Sequence, residues 1–183
     1  MRPGQNLRLK DLIGKTIVVH TITYFVIGLP AVTFLNYAEK FARPEMACWM
    51  RSIDDPLVRA GVLFQPLRGL IFALVFYPFK ETLFGKKLGW LFMWWALVGL
   101  GILSTFGPPP GSIEGMIYTR IPLADQLTGL LEVVPQALLL SLLLTYWVAN
   151  PAKKWLSRSL GTIFILIMLM PALGYFAQSA AAH

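Results

Sequence analysis

Five apolar runs, at residues 15–36, 58–79, 88–106, 127–148 and 159–177, leave this chain few folds to choose from. Each approaches the length of about 20 residues that a helix needs to cross the hydrocarbon core of a bilayer. A backbone in lipid must satisfy its own hydrogen bonds, so runs of this length are read as helices. The 56% share of hydrophobic residues, with only 14% charged, exceeds the roughly 45–50% apolar content of soluble domains. The expectation is a single all-α domain over residues 1–183: a polytopic integral membrane helical bundle with about five transmembrane helices. The first run follows a charged start but is too long for a signal-peptide core, and is read as a retained helix.

The net charge of +7 has its explanation in where the basic residues fall. Arg2, Arg8, Lys10 and Lys15 precede the first run, Lys80, Lys86 and Lys87 lie between the second and third, and Lys153, Lys154 and Arg158 between the fourth and fifth. With five crossings these segments share one side, where the acids are Asp11 and Glu81. The opposite side balances Lys40, Arg43, Arg51, Arg59 and Arg120 against Glu39, Glu45, Asp54, Asp55, Glu114 and Asp125. The positive-inside rule then expects a cytoplasmic N-terminus and an outer C-terminus, with a prokaryotic inner membrane suggested by the short loops. Basicity is read as topology and attraction to membrane lipid, with no nucleic acid as partner.

Two loops on the less basic side have features of their own. In ARPEMACWMRSIDD, Met46, Trp49, Met50 and Ile53 recur at helical spacing after Pro44, which predicts a short outer interfacial helix near residues 44–53 with Trp49 at headgroup level. Asp55 before Pro56 reads as the cap of the next helix. The second loop, FGPPPGSIEGMIYTRIPLADQ, opens with prolines that favour extended geometry. Trp90, Trp94, Trp95, Trp147 and Trp155 read as an interfacial aromatic belt. One cysteine, Cys48, excludes an internal disulfide, and with His20 as the single histidine within the helices no metal site and no cofactor is expected.

Two charges fall inside the runs, Arg68 in the second and Glu132 in the fourth. A charge at the centre of a membrane helix costs at least roughly 2.5–3.5 kcal/mol, so each requires a partner, water or a purpose. Both helices run in the same direction, and the depths of the two residues predict an Arg68–Glu132 ion pair. Gln65 shares a face with Arg68, while Thr128, Glu132 and Gln136 form a stripe at i, i+4 and i+8. Gly69 and Ala73 offer a small-xxx-small helix contact, and the fourth helix reads as central. His20 is placed toward the basic end, about half a bilayer from Glu132.

Arg68, Glu132, Gln65, Gln136 and Thr128 therefore form a candidate binding site for a polar or anionic small molecule or lipid headgroup, in a binding or transport protein. The competing reading is a plain staple, in which Arg68 and Glu132 join the second and fourth helices and the glutamines complete the hydrogen bonds. A scaffold or accessory subunit of a larger membrane complex is an alternative, and would expose the small-residue face Ala137, Ser141 and Thr145. A further alternative is an intramembrane enzyme on a lipid-linked substrate, with Glu132 as base. Transport by so small a bundle would call for a homo-oligomer.

Overall fold

The computed structural model describes residues 4, 6–48 and 50–181, with side chains through residue 174. It contains ten α-helices among the described residues and no strand: α1 (Leu9–Phe34), α2 (Tyr37–Ala42), α3 (Pro44–Ala47), α4 (Pro56–Arg59), α5 (Gln65–Phe76), α6 (Lys80–Gly85), α7 (Gly89–Val98), α8 (Ile113–Tyr118), α9 (Leu123–Ala149) and α10 (Lys154–Ala181). Four stretches are long and apolar enough to cross a membrane: Leu9–Phe34, Gly61–Gly85, Leu123–Ala149 and Lys154–Gly174. Large apolar side chains point outward from them, with Leu67 62%, Leu131 66% and Met170 64% exposed. Such a surface suits lipid and not water.

The third run forms a shorter helix than its apolar sequence implies. Ten residues of α7 continue into a five-residue π-helix, Gly99–Leu103, and the helix stops there. At about 1.5 Å per residue it spans about 22 Å, less than a hydrocarbon core of about 30 Å. Gly99 and Gly101 weaken the helix where it widens, and the prolines at 108–110 prevent its resumption.

The second span is assembled from pieces. Asp55 accepts the Leu57 N–H (2.8 Å) and caps α4, as the Asp-Pro pair implied. A 3₁₀ turn, Gly61–Phe64, then leads into α5, and a second, Tyr77–Phe79, joins α5 to α6. Pro66 therefore sits in the first turn of α5, where a missing N–H costs little, and Val62 O accepts the Gln65 N–H.

Of the interfacial helix expected over residues 44–53, the described residues form only the short α3, and another short helix, α2, precedes it. Asn36, with φ of 51°, turns the chain out of α1 and into α2. Arg43, held extended ahead of Pro44, separates α2 from α3, which ends at Ala47. Trp49 lies outside the described residues.

The central helix is α1, not α9: it packs against α5, α9 and α10, while α9 lies between α1 and α7. A Cβ on Gly69 would stand 2.7 Å from Ile17 Cα, so α5 and α1 meet backbone to backbone there, with Ala73 fully buried one turn on. Leu12, Val19, Leu140, Leu144 and Met93 fill the core. Ala137 and Ser141 are buried inside the chain, at 8% and 0% exposure, so the face a scaffold would present is already covered at those positions. Ser141 and Thr145 return their hydroxyls to carbonyls of α9 itself.

The two ends of the bundle differ in chemistry as the charge pattern requires. At the basic end Lys80 Nζ donates to Leu7 O (3.1 Å) and Lys15 Nζ to Trp147 O (3.3 Å), which draws the first two basic segments and the end of α9 together. At the opposite end Arg43 pairs with Asp125 (2.6 Å) and Arg59 with Asp54 (2.6 Å). Two of the tryptophans turn inward instead of joining a belt. Trp147, 6% exposed, donates to Ser157 Oγ (3.0 Å), and Trp94 donates to Val134 O (3.2 Å). Trp95 and Trp155 do face outward.

Candidate binding cavity

A cavity of about 320 Å³ opens among α1, α5, α9 and the far end of the α7 segment. Its polar walls are His20 and Tyr24 from α1, Arg68 from α5, Glu132 and Gln136 from α9, and Thr105 beyond the π-helix. Larger grooves of about 630 and 810 Å³ lie at the basic end, between lysines at helix ends. The smaller cavity is the one that holds both intramembrane charges, and it is here that their desolvation demands a reason.

The structure brings Arg68 and Glu132 to one cavity without pairing them. Among the described residues no ion pair joins the two. Glu132 accepts a hydrogen bond from the Tyr37 hydroxyl. Tyr37 reaches it because α2 folds back beside the first turns of α9, tied there by Arg43 to Asp125 and by Lys40 Nζ to Thr128 Oγ1 (2.6 Å). Burial, and then the hydrogen bond to Glu132, push the Tyr37 phenol above its ordinary range, so it stays a donor at neutral pH. On the α1 side Gly28 leaves room for the carboxylate, since a Cβ there would lie 3.4 Å from Glu132 Oε1. Arg68 is exposed within this setting, its guanidinium carbon 5.9 Å from the centre of the Phe72 ring. That distance is within cation–π range, which leaves the N–H fork free for an anion.

The other expected residues divide. Gln136 lines the cavity with Glu132. Gln65, 6% exposed, stands behind it: Oε1 lies 3.1 Å from His20 Nε2, and Nε2 donates to Gly61 O (3.1 Å). Thr128 lies outside the lining, its oxygen taken by Lys40 and its own proton given to Asp125 O (3.0 Å).

His20 overturns the expectation that it lies half a bilayer from Glu132, because both line the same cavity. The reason is where α1 begins. Helix formation starts at Leu9, with Asp11 in the first turn where the helix dipole favours an acid, so His20 falls near the middle of 26 residues. Tyr24, one turn further on, was within reach of the same helical arithmetic. Tyr37 had no local signal, since its role depends on the reversal at Asn36.

Among the described residues no group of three or more His, Cys, Asp and Glu side chains is placed to hold a metal ion. No protein-family model, curated protein or solved structure matches the chain. The fold defines the class, an integral membrane protein built as an all-α bundle.

Proposed function

We propose that this protein binds an anionic small molecule or lipid headgroup in the intramembrane cavity, with Arg68 as the anion's partner. One observation carries the reading: Arg68 and Glu132 line the same cavity, yet Glu132 is held by Tyr37 and Arg68 keeps its donor fork unpaired by a carboxylate. Two opposite charges that merely stapled helices would be expected to pair, because the uncompensated charge is the costly one. Binding, and transport by an oligomer of such bundles, both fit this arrangement. Among the described residues Glu132 is the one carboxylate in the lining, so an enzyme reading rests on a single acid or base there. The basic end is assigned to the cytoplasm and the membrane to a prokaryotic inner membrane.

Native mass spectrometry of the gently solubilised protein tests the reading. Wild type is expected to retain a bound mass that Arg68→Gln loses while melting at a comparable temperature. Tyr37→Phe frees Glu132 to turn toward Arg68, and is expected to lower retention several-fold. Equal retention by all three proteins, or a clean apo species in each, would return the pair to a structural role.

A further inference from the structure

His20 adds a demand that an anion alone does not meet. Its side chain lines the cavity and the residue is 1% exposed. The neighbouring carbonyl of Gly61 is acceptor only, so the Gln65 amide must turn its NH₂ group to it and its oxygen to His20. The imidazole then carries its proton on Nε2, to donate to Gln65 Oε1, and Nδ1 is left as a bare acceptor. That Nδ1 is buried and has no hydrogen-bond partner among the described residues. Thr105 Oγ1, in the same lining, is likewise unpartnered. Phe72 fixes the geometry by packing against the imidazole at 4.9 Å and 84°, while carrying the Arg68 guanidinium. One ring thus seats an anion-binding fork and a hydrogen-bond acceptor side by side.

Resting on the anion-binding reading above, we propose that the ligand is an oxyanion that itself carries a hydrogen-bond donor, with the oxyanion on Arg68 and its hydroxyl or N–H on His20 Nδ1. A buried acceptor left unpaired is penalised, so the cavity discriminates against an anion of the same charge that lacks the donor. A volume of about 320 Å³ holds on the order of ten water-sized groups, a water's share being about 30 Å³. This matches a polar headgroup such as phosphoglycerol, or the free molecule of the same chemistry; acyl chains would remain in the bilayer.

Two substitutions separate the roles of the imidazole nitrogens. His20→Gln places an amide near Nε2 and keeps the donor to Gln65 without the Nδ1 acceptor. His20→Asn places its amide near Nδ1 and keeps an acceptor there. Retention is compared in native mass spectra after reconstitution with phosphatidylglycerol or with phosphatidylmethanol, which has the same phosphodiester charge and no hydroxyl. Glycerol 3-phosphate and methyl phosphate form the soluble pair. Wild type is expected to prefer the hydroxyl-bearing member of one pair by about tenfold, the worth of one buried hydrogen bond. The preference should vanish in His20→Gln and persist in His20→Asn, and the pair that shows it identifies a lipid or a soluble source. A preference that survives His20→Gln, or equal retention within both pairs, overturns the proposal. In that event retention lost in Arg68→Gln leaves the anion reading standing, whereas no retention of any probe by wild type removes both.

Discussion

Gly69 shows how much a single position decides in this bundle. Its absent Cβ lets the backbone of α5 approach Ile17, and the Gln65 and Arg68 side chains are carried toward α1 by that approach. Gly69→Ala forces a contact of 2.7 Å against backbone, which cannot rotate away. A loss of about 1–3 kcal/mol is expected, the usual cost of overpacking, read as a lowered melting temperature in detergent. An unchanged melt would mean that α1 and α5 separate freely. The Gly69–Ala73 spacing was legible in the sequence, and Arg68, Glu132 and Gln136, named together there, line one cavity. The partners were not. Whether Glu132 meets Arg68 or Tyr37 depends on rotamers and on a left-handed Asn36, neither of which hydrophobic periodicity encodes.

Among the elements, the chain from Gly107 to Pro122 is the best example of order that composition conceals. Its prolines and glycines suggest an extended connector, yet Ser112 caps α8 by accepting the Gly115 N–H (2.9 Å). Gly111, at φ of 87°, presents its N–H to Gln126 Oε1 (3.3 Å). Gln126, 2% exposed, also donates to Gly115 O (3.2 Å) and Ile121 O (3.0 Å), pinning the segment to α9. Gln126→Ala should cost about 1–3 kcal/mol and speed amide exchange in α8, because several backbone groups lose one shared partner. Protection of α8 that survives the substitution would show the loop to be held by its apolar contacts instead. Helix positions were readable to within a few residues where apolar runs were long. The ends were not, since the starts of α1 and of the second span are set by charged or proline-containing turns outside the apolar pattern.

At the scale of the whole molecule the division of charge between the two ends is the feature that sequence and structure share most fully. The basic end draws together Leu7, Lys15, Lys80 and Trp147, and the other end pairs its acids and bases in ion pairs. Cys48, exposed at the paired end, should react with a membrane-impermeant maleimide in intact cells, and a cysteine introduced at Lys86 should not. Labelling of position 86 alone would invert the proposed orientation. The short α7 segment has a bearing on this architecture too. A helix about 8 Å shorter than the hydrocarbon thickness cannot be flanked by undistorted lipid, so the bilayer beside it must pucker inward or yield its place to the loop that follows. Either response lowers the local barrier to water above the cavity. On the binding function proposed above, hydrophobic mismatch then becomes the means by which a polar ligand would reach Arg68 and Glu132.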